Sequence, residues 1–157
     1  MNIKLVVVGK TEEKYLKEGV DIFEKRLKFY IPYEMIVIPS LKDTKNLSPQ
    51  MVKEKEGDLI LKQVSKYDKL VLFDETGKEF RSLEYSDFLQ KQMNAGIKTL
   101  CFLVGGAFGF SDEVYKKADL LISISKMTFS HQMIRLMIVE QLYRAFTILR
   151  NEPYHNE

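Results

Sequence analysis

Ile3 to Val8 is a β-branched and aliphatic run, broken only by Lys4, that stops at Gly9, and four more largely apolar runs follow: Met35 to Ile38, Lys69 to Phe73, Leu100 to Val104 and Leu120 to Ile124. Runs without polar alternation predict strands covered on both faces, as parallel strands are. The stretches between them carry apolar residues at helical spacing. From Glu12 to Tyr30, Leu16, Val20, Phe23, Leu27 and Tyr30 share one face, while Lys14, Lys17, Lys25 and Lys28 lie largely elsewhere and read as a solvated surface. Ser48 and Pro49 open a helix running to about Lys66, after the polar loop Ser40 to Leu47. Asp74 to Phe80 reads as a turn around Gly77, Ser82 caps a third helix that ends at Gly96, and Ser111 with Asp112 opens a short fourth. Strand and helix alternate throughout, which predicts an α/β domain: a mostly parallel sheet of about five strands with helices on both faces.

The last stretch departs from that pattern. A polar turn, Ser125 to Ser130, leads into a helix from His131 to about Arg150, with Ser130 placed to cap it. In 100° steps round its wheel Ile134, Ile138 and Ala145 fall on one side, Met137 and Ile148 on a second, Leu136 and Tyr143 on a third, and Val139, Leu142 and Phe146 close the gap. Only two narrow polar stripes interrupt them, His131 with Arg135 and Glu140 with Arg144 and Thr147. A helix apolar all round cannot face water. In a chain this short a second copy is expected to cover one face, so the chain is predicted to be a homodimer, isologous in its contact.

Composition narrows the field by exclusion. The 157 residues fit one domain, 1–157, and a formal net charge of +2 leaves any polyanion to be recognised by local patches or by shape. The single cysteine, Cys101, lies in an apolar run, so neither an internal disulfide nor a multi-cysteine metal site is expected. No metal cluster, bilayer-spanning segment or secretory leader is legible, and a cytoplasmic location is expected.

In parallel sheets ligands bind beyond the carboxyl ends of the strands. The turns Phe73 to Gly77, Gly105 to Gly109 and Ser125 to Ser130 are therefore expected to share one pocket. The glycines 105, 106 and 109 do not follow the dinucleotide spacing, and the next strand ends in serines where a ribose-binding acid would be needed. Ser125, Thr128 and the main chain of that turn suit the edges of an adenosine, and Met127 and Phe129 suit a ring or a sulfonium. Neither His131 nor His155 has a nucleophile and acid spaced as a hydrolytic triad.

The segments LVGGAFGF, SKMTFSHQMIRLMIVEQLYRAF and the terminal PYH, with LVVVGKTEEKY and KEKEG earlier, resemble the RlmH family of small SPOUT-class methyltransferases over essentially the whole chain. The resemblance implies a carboxy-terminal trefoil knot, a homodimer, S-adenosylmethionine as donor, and methylation of N3 of a pseudouridine in large-subunit (23S) ribosomal RNA of the assembled ribosome. It implies cofactor contacts from Phe73, Gly105, Ile124, Ser125, Lys126, Met127, Thr128 and Phe129, and a tail that completes the active site. In that tail His155 is the expected base and Tyr154 the residue orienting the acceptor ring, with Asn156 standing where the family often has arginine or lysine. Arg135 is expected to hold phosphate or to steady the developing anion, or else to form an ion pair across the dimer. The rival expectation is a non-catalytic α/β dimer that binds a nucleotide as a sensor.

Overall fold

The structure, a computed structural model, describes residues 1–156. Its strands are β1 (Asn2–Val8), β2 (Tyr33–Ile38), β3 (Lys69–Glu79), β4 (Thr99–Val104) and β5 (Leu120–Ser123). Between and after them run α1 (Lys14–Leu27), α2 (Pro49–Val64), α3 (Ser82–Asn94), α4 (Asp112–Lys117) and α5 (Met133–Leu149). All five strands are parallel, in the order β2-β1-β4-β3-β5.

Side chains that alternate along each strand feed two separate cores, as the pleat requires. Ile3, Leu5 and Val7 of β1, Val71 and Phe73 of β3, and Leu100, Phe102 and Val104 of β4 face α1, α3 and α5. Val6 and Val8, Leu70 and Leu72, and Cys101 and Leu103 face the other way, against α2 and α4. The scarcity of polar residues in these runs thus reflects cover on both sides of the sheet. Among the described residues no helix is long and apolar enough to cross a membrane.

The helix starts follow local chemistry. Ser48 Oγ accepts from Met51 N at 3.2 Å ahead of Pro49, and Ser111 Oγ accepts from Val114 N at 3.4 Å. Ser130 Oγ accepts from Met133 N at 3.0 Å, so it caps the approach to α5 as expected, although helical geometry begins two residues later than the sequence suggests. Ser82 is not the cap of α3. Arg81 holds that position, its amide donating to Glu84 Oε2 at 2.8 Å.

The largest departure from expectation is β3. Its predicted end at Phe73 is only a pause: Asp74–Gly77 loops out, and the strand resumes with Lys78 opposite Ile122 and Glu79 opposite Ser123. Gly77 permits this, because a Cβ there would lie 2.6 Å from main-chain atoms of Leu121 and Ile122. The loop so formed hangs over the carboxyl end of the sheet.

From β5, at the edge, residues 124–132 pass over the ends of β3 and β4 to reach β1, where Arg135 docks on Val8 and Gly9. Gln132 joins the same place, donating to Lys10 O at 2.9 Å and accepting from Glu12 N at 3.0 Å. The knot expected from the resemblance requires a passage of this kind.

Candidate functional site

The three turns expected to meet do meet. With the start of α5 they enclose a cavity of about 520 Å³, within the usual range for a small-molecule site. Phe73, Gly105, Ile124, Ser125, Met127, Thr128 and Phe129 line it, and Lys126 does not. Val104, Phe110, Ile122 and Ile134 extend its apolar wall. Asp74 and Glu75, in the turn expected here but given no role by the sequence, come to the mouth from the outlooped part of β3, and Tyr115, which sequence reasoning missed, comes from α4.

Hydrogen bonds fix the shape of the last turn. Ser123 Oγ donates to Ser125 O at 2.8 Å, Met127 N to Ser125 Oγ at 3.0 Å, and Thr128 Oγ1 to Glu75 Oε2 at 3.2 Å. Met127 is left 77% exposed at the rim. Asp74 accepts from Tyr115 Oη at 2.5 Å and from Thr76 N at 2.9 Å and Oγ1 at 2.5 Å. Burial pushes the Asp74 carboxyl up, but the hydrogen bonds from Thr76 and Tyr115 together outweigh it and hold the group below the usual carboxylate range. Burial, and then donation to Asp74, push the Tyr115 hydroxyl upward. The mouth therefore keeps negative charge beside apolar walls, a combination suited to a ligand with a flat ring and a positive centre.

Arg135 corrects the expectation attached to it. It is 0% exposed. Its Nη2 donates to Val8 O at 2.7 Å, Nη1 to Gly9 O at 2.9 Å and Thr11 Oγ1 at 3.1 Å, and Nε to His131 O at 3.0 Å. A guanidinium so enclosed has no face for a phosphate, an anionic base or a partner's carboxylate. Its work is to anchor the start of α5 to the main-chain carbonyls at the end of β1. Of the two residues in that polar stripe, His131 is exposed and Arg135 lies in the interior.

Tyr154 and His155 lie elsewhere in the same chain. Tyr154 Oη donates to Glu140 Oε1 at 3.0 Å, and its ring meets Tyr143 edge-on with centroids 4.7 Å apart. Arg144 Nη2 and Nε donate to Glu140 Oε1 at 2.6 and 3.1 Å, and Arg144 Nη1 lies 3.3 Å from His155 Nδ1. His155 Nε2 is buried without a hydrogen-bond partner among the described residues. Leaving such a group unpaired costs on the order of 1–3 kcal/mol. From Ile134, on the cavity wall, to Arg144 is ten residues of helix, about 15 Å at the α-helical rise. The protomer thus does not bring the predicted tail residues to its own cavity. No group of three or more His, Cys, Asp or Glu among the described residues could hold a metal ion.

Comparison with known proteins bears on both regions. The family model described as Predicted SPOUT methyltransferase matches residues 1–155. A protein of Flavobacterium johnsoniae named Ribosomal RNA large subunit methyltransferase H is 56% identical over 157 residues, covering all of both chains. One of the same name from Bacteroides thetaiotaomicron is 52% identical over the same full length. Among solved structures, a probable methyltransferase from Bordetella pertussis Tohama I superposes with a TM-score of 0.57 at 10% identity, covering 92% of this chain and 96% of that one, a likeness of fold. A model matched almost end to end, together with relatives so similar over their whole length, places this chain in the SPOUT methyltransferase family.

Proposed function

We propose that the chain is a homodimeric enzyme that transfers a methyl group from S-adenosylmethionine to N3 of a pseudouridine in 23S ribosomal RNA, acting on assembled ribosomes in the cytoplasm. The observation that carries this reading is the full-length identity of 56% with an enzyme named for large-subunit ribosomal RNA. The cavity agrees with it chemically. Its apolar wall fits an adenine, the main chain of Ser125 to Phe129 offers groups for ring and ribose edges, and the Asp74 and Glu75 carboxylates suit a cationic donor. When bound, the cofactor would supply a methyl group on a sulfonium, an electrophilic carbon from which the sulfur is displaced in line. The protein's part is mainly to position the acceptor and to hold charge where it develops.

Two copies are favoured by the surface. Tyr15 and Ile22 on α1 and Phe29 just beyond its end stand at seven-residue intervals and are 60, 49 and 84% exposed. This stripe adjoins α5, where Gly19 packs on Leu136 and Arg26 lies over the Tyr143 ring at 5.7 Å. Met133, Met137 and Ile148 on α5 are only partly covered. An apolar surface this long marks a protein interface. A tail held about 15 Å along the helix from its own cavity then serves the cavity of the other copy.

The test is to incubate the protein and labelled S-adenosylmethionine with ribosomes that lack the modification and to map the label. Label at N3 of a single large-subunit pseudouridine is expected. Label confined to transfer RNA or protein, or none, overturns the reading.

A further inference from the structure

Arg144 faces two groups at once. Nε and Nη2 go to Glu140 Oε1, while Nη1 turns to His155 Nδ1 at 3.3 Å. A guanidinium carries donors only and stays charged at any pH the fold survives. The ring nitrogen facing it must therefore accept, and the ring proton of His155 must sit on Nε2. A doubly protonated ring does not fit, since two N–H groups would then point at each other. The neighbours hold this arrangement in place. The Tyr154 ring stacks on Arg144 with its centroid 4.8 Å from the guanidinium carbon, and Gln141 Nε2 donates to the second Glu140 oxygen at 2.7 Å. What remains unused is the Nε2–H, buried and without a partner among the described residues.

We propose that Arg144 locks His155 in the Nε2–H tautomer, so that His155 meets the acceptor base as a hydrogen-bond donor and not as the group that removes its proton. The proposal rests on the reading of the chain as a pseudouridine-N3 methyltransferase. N3 lies between two carbonyl groups, and the charge left when its proton departs collects on their oxygens. An N–H aimed at one of those oxygens stabilises that anion, whereas a ring lone pair would repel it. The N3 proton passes to solvent before transfer. The N3 lone pair then forms the N–CH3 bond as the C–S pair returns to sulfur, and an anion and a sulfonium become two neutral groups. Arg144 acts through His155 and is a positioning residue. The expectation of His155 as general base is replaced, because the nitrogen with a free lone pair is the one occupied by Arg144.

Long-range proton–nitrogen spectra of the full-length, 15N-labelled protein, taken at alkaline pH and assigned against His155→Gln, read the tautomer directly. A protonated Nε2 and bare Nδ1 are expected in the wild type and in Arg144→Lys, which keeps a donor, with mixed tautomers in Arg144→Met. A protonated Nδ1 in the wild type overturns the proposal, as does an unchanged spectrum in Arg144→Met. Methyl transfer to unmodified ribosomes supplies the second readout. His155→Ala is expected to lose roughly 100-fold in kcat, the scale of removing one anion-stabilising donor. Glutamine can place an N–H where Nε2 was but cannot take up a proton, so His155→Gln is expected to stay within about tenfold of wild type. Equal losses in the Gln and Ala variants, or full activity in the Ala variant, refute the donor role. A wild-type protein that labels no RNA refutes the function itself and the donor role with it, while the spectra still decide the tautomer.

Discussion

Replacing Arg135 by methionine keeps the length and apolar stem of the side chain and removes the guanidinium. Three main-chain carbonyls, of Val8, Gly9 and His131, then lose their donor, as does the Thr11 hydroxyl. Hydrogen bonds to a charged group contribute about 1.5–3 kcal/mol each, so the four together amount to about 6–12 kcal/mol. Burying the charge costs several kcal/mol, which the variant recovers. The net loss should be about 3–5 kcal/mol, the range found when one side of a buried charged network is removed. Against a total stability of about 5–15 kcal/mol that is a large share. For a chain of this length it lowers Tm by roughly 6–20 °C.

Urea titration followed by far-ultraviolet dichroism reads this directly. Arg135→Met should shift the midpoint down with little change in slope, and Arg135→Lys, whose ammonium reaches fewer of the four acceptors, should fall between it and wild type. At low temperature the folded Met variant should bind ribosomes with unchanged salt dependence, because the guanidinium carries no phosphate contact. A Met variant that keeps its stability within 1 kcal/mol but loses one counterion's worth of salt slope would mean that Arg135 reaches RNA, and the scaffold argument would fail.

Four further outcomes can be checked together. Gly77→Val should lower Tm and weaken S-adenosylmethionine binding in calorimetry, because its Cβ meets β5 main chain and pushes the Asp74–Gly77 loop off the cavity; unchanged affinity and Tm would contradict the register of β3. Burial pushes the Cys101 thiol up to about 12, so it should resist a disulfide reagent at pH 8 until urea unfolds the chain, and prompt native labelling would refute that. Burial also pushes the Glu56 carboxyl above its ordinary range, where it packs on Gly106. The folded state therefore binds the proton more tightly, and Glu56 costs stability as pH rises through the folded value. Glu56→Gln should be the more stable protein near neutral pH, with the gap closing on acidification; a gap that widens on acidification has the wrong sign. Ile22→Asp should convert a dimer to a monomer in sedimentation while leaving the dichroism intact, and a wild type already monomeric at micromolar concentration would remove the interface from α1.

Strands β1 and β4 were legible because burial on both faces leaves a run dominated by aliphatic residues, a signal that survives without any knowledge of neighbours. The second half of β3 was not legible. Lys78 and Glu79 pair through main-chain groups at the edge of the sheet, and nothing in their side chains reports it. The cavity was legible to the extent that topology places ligands at carboxyl ends, which is why Ser125 to Phe129 and Gly105 could be selected. Asp74 and Tyr115 belong to segments 41 residues apart, and only their hydrogen bond reveals them as a pair. Arg135 was misread for a more general reason. Helical spacing tells which residues share a face but not whether that face meets water or a row of main-chain carbonyls.

The two ends of α5 hold different chemistry. Its start closes the cavity through Ile134 and His131, and its far half carries Glu140, Arg144 and the folded-back tail. A helix is too stiff to bring its own ends together. In the proposed dimer, a two-fold axis crossing near the middle of α5 would set the start of one copy beside the far half of the other, so that one packing contact would both cover the surplus apolar face and deliver a tail to each cavity. Mixing two inactive variants separates this from a site made within one chain. Asp74→Asn, with a weakened cavity mouth, and His155→Ala, with no tail donor, should each be nearly inactive alone. Co-expressed, they should recover up to about one quarter of wild-type activity, since random pairing makes half the dimers mixed and each mixed dimer holds one intact cavity with one intact tail. If the cavity used its own tail, the mixed dimer would carry two damaged sites and no activity would return.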